Sequence, residues 1–351
     1  MQTFAELIST AVNMHASDLH LSVGLPPSAR IDGLICPFNL EKCTPEDIEK
    51  IVLEIATETS LETLKKNGEV DFAYSIPSVG RFRVNAFRQR GSLSVTARIL
   101  NLNIPTPEEI GLPPAVVEMT NKRRGLVLVT GATGSGKSTT LATLINIINQ
   151  NNNYHILTLE DPIEYLHKHS KSIVNQREMG ADSRDYASAL RAALRQDPDV
   201  ILIGEMRDLE TISIAVTAAE TGHLVFSTLH TTGAANTIDR IIDVFPPYQQ
   251  QQIRTQLADV LECVVSQQLI PKAGGKGRVA AMEVMLTNSA IKNHIREAKT
   301  FQIPTVMQTN RKAGMITMDD ALLELYSSGE ISRENALFHS QDRASMSRRL
   351  V

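Results

Sequence analysis

The chemically most specific pattern in the chain is GATGSGKST, residues 131–139. It follows an apolar run, GLVLVTG, and precedes KSTTLATLINIINQ, which has helical periodicity. Glycines let the backbone curl so that N–H groups point inward, and a helix start adds partial positive charge. Lys137 can then reach the β- and γ-phosphates of ATP, and Ser138 can ligate Mg²⁺. The predicted ATP-binding residues are Gly131, Ala132, Thr133, Gly134, Ser135, Gly136, Lys137, Ser138 and Thr139.

Three carboxylates follow the strand-like run HILTLED, in the segment LEDPIE. They are Glu160, Asp161 and Glu164, and Pro162 between them stops the strand. Carboxylates at the C-terminal edge of a parallel sheet face the crevice where ligands bind. They could support the water shell of Mg²⁺ or orient a water molecule, and a solvated acidic turn is the alternative.

A single acid follows the next apolar run, in DPDVILIGEMRD. Gly204 stands where many ATP-hydrolysing folds have an aspartate, and Glu205 comes after it. Glu205 could orient the attacking water or accept its proton. It could equally be an acid that complements the dipole of the helix beginning at LETISIAV. His223 and His230 flank the run HLVFSTLH, where either could bind phosphate or simply be packed.

Arginines are concentrated in GRFRVNAFRQRGSLSVTARI, which reads as two strands turning near Arg90. Arg81 and Arg83 are alternate residues, so they project from one face of their strand. Such arginines could complete the phosphate site of a neighbouring subunit. A basic, solvated strand explains them equally well.

The elements that position these residues belong to two predicted domains, which are separated by a proline-rich segment. NLNIPTPEEIGLPP, residues 101–114, contains four prolines and is predicted to be a linker between domains at 1–100 and 115–351. In the second domain strands and helices alternate, which predicts an α/β fold with a largely parallel sheet covered by helices. From about residue 249 onward the chain is expected to be mostly helical.

Composition limits the class of protein. With 35 basic and 39 acidic residues the net charge is −4, and there is no tryptophan, so no nucleic-acid partner is expected. No apolar run approaches the roughly 18 residues that span a bilayer, and the N-terminus lacks signal-peptide features. A cytoplasmic protein is therefore expected. The three cysteines form no C-x-x-C pair, so neither zinc nor a disulfide framework is expected.

The motifs together resemble the secretion-ATPase superfamily. The phosphate loop, LEDPIE, DVILIGEMRD and TGHLVFSTLHT are similar to its Walker A motif, Asp box, atypical Walker B motif and His box. Within that superfamily ASDLHLSVGLPPSARIDG, GRFRVNAF and TLHTTGAANTIDRIIDVFPPYQQQQIRTQLADVL resemble the retraction ATPases of type IV pili. AIKNHIREAK resembles their retraction motif, which covers Ala290, Ile291, Lys292, Asn293, His294, Ile295, Arg296 and Glu297.

The resemblance implies a PAS-like α+β domain followed by a RecA-like ATPase domain with a helical C-terminal region. It further implies a homohexamer that hydrolyses ATP with Mg²⁺ to drive pilus retraction and twitching motility. Such a ring would dock on a pilus platform protein at the inner face of the cytoplasmic membrane. The resemblance also makes Glu205 the candidate base and places Glu164 at the metal and the water. It implies that five further side chains lie at the nucleotide or at subunit interfaces: Arg81, Arg83, Arg98, His223 and His230.

Two departures from the family pattern stand out. Ala132 replaces a usual proline without removing any phosphate-binding group, whereas Lys292 and His294 replace a usual arginine and leucine in the retraction motif. Three alternatives remain at this point: a pilus-assembly or type II secretion ATPase, a DNA-translocating ring, and a nucleotide switch without turnover. Assembly ATPases commonly add an N-terminal domain and a four-cysteine zinc motif. Lys137, Ser138 and Glu205 together favour turnover over a switch.

Overall fold

The computed structural model of the protein describes residues 2–31, 33–77, 79–100 and 103–350. It forms two compact units, an N-terminal unit of Met1–Asn103 with Glu164–Leu166 and a C-terminal unit of Ile104–Ile163 with His167–Val351. Each unit contains one β-sheet and several helices, so the predicted mixed α/β class is confirmed. Residues 101 and 102 of the predicted linker lie outside the described residues, and residues 103–113 form turns without helix or strand.

The N-terminal unit packs helices against a six-stranded sheet whose neighbouring strands are antiparallel. The strand order is β3-β2-β1-β6-β5-β4. The predicted hairpin is confirmed, because β5 and β6 pair with Gln89 opposite Ser92. Both residues of its turn have positive φ, 48° at Arg90 and 83° at Gly91, as a two-residue hairpin turn requires. The elements are α1 (Phe4–Asn13), β1 (Asp18–Ser22), β2 (Ser28–Ile31), β3 (Leu34–Pro37), α2 (Pro45–Ile55), α3 (Glu58–Asn67), β4 (Glu69–Ile76), β5 (Gly80–Gln89) and β6 (Ser92–Ile99).

The C-terminal unit is built on a seven-stranded sheet of order β13-β12-β7-β11-β10-β8-β9. All neighbours are parallel except β12 and β13, which confirms the predicted, largely parallel sheet. Its strands are β7 (Gly125–Thr130), β8 (His155–Glu160), β9 (Ile173–Glu178), β10 (Val200–Ile203), β11 (Leu224–Leu229), β12 (Leu261–Pro271) and β13 (Arg278–Leu286). Every residue of β7, β10 and β11 is buried, because helices cover both faces of the sheet.

The helices of this unit alternate with the strands and then continue to the C-terminus. They are α4 (Pro114–Val117), α5 (Lys137–Asn151), α6 (Tyr186–Ala193), α7 (Leu209–Glu220), α8 (Ala234–Asp243), α9 (Pro247–Val260), α10 (Ser289–Arg296), α11 (Ile303–Thr309), α12 (Met318–Ser327), α13 (Arg333–His339) and α14 (Arg343–Arg349). Within the described part of the chain, none of these helices is long and apolar enough to span a bilayer.

The region after residue 249 differs from the sequence prediction. Helix α9 ends at Val260, and the next residues form the antiparallel pair β12 and β13, after which the helices resume. The prediction of a mostly helical chain included residues that are β-branched and buried, such as Val264 and Val265. Buried strands and buried helices have the same apolar character over short runs, and here pairing with the edge of β7 decides for the strand.

Candidate functional site

The phosphate loop joins β7 to α5 in a tight turn. Gly131 has φ 142° and Gly136 has φ 92°, both in the region that favours glycine. Gly136 is also the N-cap of α5, so the helix begins at Lys137. The loop therefore ends on the first free N–H groups of a 15-residue helix, a geometry that attracts anions.

The ammonium group of Lys137 lies inside this loop. It donates hydrogen bonds to the carbonyl oxygens of Gly131 at 2.8 Å and Ala132 at 3.0 Å, and the residue is only 8% exposed. Burying a lysine is costly unless its donors are satisfied, so these carbonyls hold the charge in place. The same ammonium can move to phosphate oxygens when these enter the loop. Ser138 follows as the second residue of α5 and is partly exposed.

Glu205 lies just after β10, at the same edge of the sheet as the phosphate loop. Its carboxylate contacts Arg207 Nη2 at 2.7 Å and His230 Nε2 at 3.4 Å, and its side chain is 19% exposed. Burial raises the pKa of Glu205, but the hydrogen bond from Arg207 and the charges of Arg207, His230 and Lys137 outweigh it and leave the pKa below its usual value. Glu205 is therefore ionised at neutral pH and faces the lysine of the loop.

The alternative role considered for Glu205, an acid at the start of a helix, belongs to another residue. Asp208 is the N-cap of α7, and its carboxylate accepts the N–H of Thr211 at 2.8 Å. Glu205 precedes that cap by three residues and directs its oxygens to Arg207 and His230 instead. The geometry thus leaves Glu205 available for chemistry at the loop.

The two histidines of the His box lie at opposite ends of β11. His230 follows the strand, and its ring bridges the site, with Nε2 toward Glu205 and Nδ1 3.5 Å from Thr133 Oγ1 in the loop. His223 precedes the strand, and its Nδ1 lies 2.9 Å from the carbonyl oxygen of Ala218 at the end of α7. The structure therefore brings His230 to the phosphate loop and leaves His223 at the far edge of the sheet.

Gly204 has no room for a side chain. A Cβ built on it would lie 2.9 Å from the Tyr186 hydroxyl, 3.2 Å from the Leu159 carbonyl oxygen and 3.4 Å from Glu160 Cα. Burial, and then the nearby carboxylates of Asp161, Glu160 and Glu205, raise the pKa of Tyr186. Tyr186 thus occupies the space that an aspartate after β10 would need.

The carboxylates of LEDPIE have different surroundings. Glu160 accepts hydrogen bonds from Thr158 Oγ1 at 2.6 Å and from Gln176 Nε2 at 3.1 Å, while Asp161 is exposed. Both belong to the C-terminal unit. Glu164 is exposed and is grouped with the N-terminal unit. Glu160 and Asp161 therefore lie in the same unit as the phosphate loop.

The three candidate arginines belong to the N-terminal unit. Arg83 on β5 lies opposite Arg98 on β6, and Arg81 is two residues away on the same strand face as Arg83. Arg98 pairs with Asp18 at 3.1 Å, and Arg83 lies 3.6 Å from Asp71. The sheet thus gathers the three arginines on one face, as the alternation of residues predicted for Arg81 and Arg83.

The segment that resembles the retraction motif forms most of α10 and packs against α9. Ile291 and Ile295 are fully buried in the core of the C-terminal unit. On the outer side Arg296 forms an ion pair with Asp259 of α9, and Lys292 Nζ lies 3.4 Å from the Asp259 carbonyl oxygen. Asp259 therefore connects the two helices through Lys292 and Arg296.

Three residues of the site escaped the sequence analysis. Arg207 is two positions after Glu205 in GEMRD, so proximity in sequence was a usable signal. Tyr186 begins α6 and reaches the site only because α6 packs beside β8 and β10. Gln267 on β12 binds the phosphate loop from a strand more than 120 residues away, and no pattern in the sequence marks it.

A phosphate loop between a parallel strand and a helix, faced by a carboxylate on a nearby strand, defines the class of P-loop nucleotide-binding proteins. The chain belongs to the Type II/IV secretion system protein family, which matches residues 81–303. It is 48% identical to the Type IV pilus retractation ATPase PilT of Pseudomonas aeruginosa, over 94% of this chain and 96% of that protein. It is 46% identical to the Twitching motility protein of Neisseria gonorrhoeae, over 92% of this chain and 86% of that protein.

A solved structure agrees with these relatives. The crystal structure of the pilus retraction motor PilT with bound ADP superimposes with a TM-score of 0.92, at 50% identity, covering 99% of this chain and 100% of that one. By contrast, the Type IV pilus assembly ATPase PilB of Acinetobacter baylyi is 36% identical over 67% of this chain and 42% of its own length. The similarity to retraction ATPases thus extends over nearly the whole chain.

Proposed function

We propose that this protein is a motor ATPase that hydrolyses ATP to ADP and phosphate and thereby powers type IV pilus retraction and twitching motility. One observation carries the chemical part of the proposal: Glu205, ionised and held by His230, faces a phosphate loop that contains Lys137. The biological part is supported by similarity to retraction ATPases over more than nine-tenths of the chain.

The reaction follows from this geometry. The N–H groups of the loop and the start of α5 bind the phosphates, and Lys137 exchanges its two carbonyl partners for phosphate oxygens. Glu205 orients a water molecule, whose oxygen bonds to the γ-phosphorus as the bond from that phosphorus to the ADP oxygen breaks, and one proton of that water passes to an oxygen of the released phosphate. His230 contacts both Glu205 and Thr133, so it can transmit the presence of the γ-phosphate to the carboxylate.

The residues also fit Mg²⁺. This ion prefers oxygen ligands and usually keeps several waters beside the substrate phosphates. The Ser138 hydroxyl would provide a ligand at the start of α5, and Glu160 and Asp161 would accept hydrogen bonds from metal-bound water. When bound, the ion would neutralise charge on the phosphates. Among the described residues, no group of three or more His, Cys, Asp or Glu could hold a metal ion.

We further propose that the N-terminal unit is PAS-like, the C-terminal unit RecA-like, and the assembly a homohexamer. Arg81, Arg83 and Arg98 would then reach nucleotide phosphates across or within subunits. Glu164 would act at the metal and the water, and His223 would contribute to the site or to a subunit interface. The two units would change their relative orientation as ATP is hydrolysed. The ring would transmit this motion to a pilus platform protein at the inner face of the cytoplasmic membrane. Arg83 and Arg98, which are exposed and lie opposite each other on the N-terminal sheet, support this arrangement.

An assembly or secretion ATPase of the same family is the second candidate. It is disfavoured because the assembly ATPase PilB matches only 67% of this chain, whereas PilT matches 94%. A DNA-translocating ring is disfavoured by the net charge of −4 and the absence of tryptophan.

Deleting the gene and scoring surface pili and surface motility separates these functions. We expect the deletion strain to carry excess pili and to lack motility. The wild-type gene should restore motility, and a gene carrying Lys137→Ala should not. Loss of pili would instead indicate assembly. In parallel, a large increase of ATPase rate with single-stranded DNA at physiological salt would favour the DNA-translocating ring.

A further inference from the structure

Gln267 lies on β12 beside the phosphate loop and is 3% exposed. Strand β12 pairs in parallel with β7, and its Ser266 lies opposite Thr130, the last residue before the loop. This register places Gln267 next to the point where the chain leaves β7. A buried amide needs partners for both its oxygen and its nitrogen, and here both partners come from the loop and its helix.

The amide of Gln267 bridges two parts of the loop region. Its Nε2 donates to the carbonyl oxygen of Ser135 at 2.7 Å, and its Oε1 accepts the hydroxyl of Thr140 at 2.9 Å. Ser135 belongs to the loop, while Thr140 lies in the first turn of α5 and is 1% exposed. One side chain therefore fixes the loop relative to the helix that completes it.

Two glycines of the motif also lie against Gln267. A Cβ on Gly131 would lie 2.3 Å from the backbone carbonyl oxygen of Gln267, and a Cβ on Gly136 would lie 2.7 Å from its side-chain Nε2. At Gly131 the near atom belongs to the backbone and cannot move aside, whereas at Gly136 it is the end of the Gln267 side chain. The loop is thus packed directly on Gln267 at both of its ends.

We propose that Gln267 is a positioning residue for the phosphate loop. In a trans peptide the C=O and the following N–H point in opposite directions. By binding the Ser135 carbonyl on the side of β12, Gln267 turns the N–H of Gly136 toward the opposite side, where the phosphates bind. The inference rests on the proposed function, because it takes nucleotide phosphate to be the ligand of the loop.

The test compares Gln267→Met with Gln268→Met. Methionine has similar length but forms neither hydrogen bond. Gln268 is the matched control because it is the next residue of β12 and its Oε1 instead binds His339 Nδ1, at 3.0 Å. In Gln267→Met we expect hydrogen exchange of the loop amides, residues 131–137, to become about tenfold faster without nucleotide, and a fluorescent ADP analogue to bind about tenfold more weakly. Both quantities should stay within about twofold of wild type in Gln268→Met.

A second variant keeps the test decisive if Gln267→Met does not fold. Thr140→Val removes only the bond to Oε1, and we expect loop exchange to rise about threefold. In a Gln267→Met protein that does fold, Thr140→Val should have almost no further effect, because the two residues act through one contact. Unchanged loop exchange in these variants, or an equal change in Gln268→Met, would overturn the inference. If wild type fails to bind the ADP analogue, the proposed function fails, while the exchange measurement still decides the role of Gln267.

Discussion

At the scale of single residues, the site depends on how Glu205 is charged and where it points. Arg207 and His230 both contact its carboxylate. The hydrogen bond and the charge of Arg207 outweigh the effect of burial and leave the pKa of Glu205 below its usual value. A carboxylate that is ionised well below neutral pH is a weak proton acceptor but a good hydrogen-bond acceptor for water. We therefore propose that Glu205 orients the attacking water.

Glu205→Gln should keep nucleotide binding and lose hydrolysis. The amide has the same shape but no charge, so we expect the ATPase rate to fall by about 10² to 10⁴ while the affinity for ATP changes little. Steady-state ATPase assays and direct binding of labelled ATP measure the two effects. Glu210→Gln is the control, since Glu210 lies on the exposed side of α7 and pairs with Arg191. Turnover equal to wild type in Glu205→Gln would refute the assignment.

Gly204→Ala tests the space beside Tyr186. The added Cβ would lie 2.9 Å from the Tyr186 hydroxyl, and Gly204 has no positive φ, so the strain is one of space. We expect a loss of about 1–3 kcal/mol in unfolding free energy, measured by urea denaturation. Adding Tyr186→Phe removes the hydroxyl and should recover a large part of this loss relative to Tyr186→Phe alone. Strictly additive effects would show that Tyr186 does not fill this space.

At the scale of elements, helix caps and strand ends place the functional groups. The segment after β10 has two separate tasks, since Glu205 faces the loop while Asp208 caps α7. On the other side of β7, strand β12 supports the phosphate loop through Gln267. The site is thus assembled at the C-terminal ends of parallel strands, which meet at one edge of the sheet.

Asp208→Ala should destabilise the start of α7. The mutation leaves the N–H of Thr211 without its carboxylate acceptor, so we expect a loss of about 1 kcal/mol. Asp208→Asn keeps an acceptor oxygen at the same place and should lose much less. Chemical denaturation of both variants gives the comparison, and equal losses would mean that charge rather than capping determines the effect.

At the scale of the whole molecule, pH should act on the fold through His167. Burial lowers the pKa of His167 to about 4, from an ordinary value of 6.5. The folded state therefore binds this proton less readily than the unfolded state does. The contribution of His167 to the unfolding free energy is therefore fully present above pH 6.5. As the pH falls from 6.5 toward 4, the unfolded state takes up the proton first, and the unfolding free energy decreases by at most about 3 kcal/mol.

His167→Leu should remove this part of the acid sensitivity. Leucine cannot take up a proton, so the unfolding free energy should fall less between pH 6.5 and 4 than in wild type. His294→Gln, a substitution on the partly exposed surface of α10, should leave the wild-type slope unchanged. Equal slopes in His167→Leu and wild type would show that other groups control acid unfolding.

A ring assembly predicts complementation between inactive subunits. If Arg98 acts across an interface, mixing Arg98→Ala with Lys137→Ala should restore activity, because some interfaces join an intact loop to an intact arginine. At equal mixing this applies to about a quarter of the interfaces of a cyclic oligomer. Mixing Lys137→Ala with Glu205→Gln is the control and should restore nothing, since both groups lie on one subunit. Inactivity at every mixing ratio would exclude the role of Arg98 across an interface.

The sequence by itself predicted the local features. The phosphate loop, the alternation of strands and helices and the hairpin at Arg90 follow from glycine spacing, hydrophobic period and turn chemistry, all of which act between near neighbours. It also placed Glu205 at the end of a buried strand. It could not choose between a base and a helix-start acid, because that choice depends on which side chains surround the carboxylate.

Tertiary structure decided the remaining features, all of which depend on contacts between distant parts of the chain. In the folded chain Asp208 caps α7, and the residues after Val260 form a strand along β7. His230 lies at the loop, and His223 lies at the opposite edge of the sheet. It also brought Gln267 to the phosphate loop. Sheet order determines these contacts, and sheet order is set by the packing of whole elements, which no local pattern of residues records.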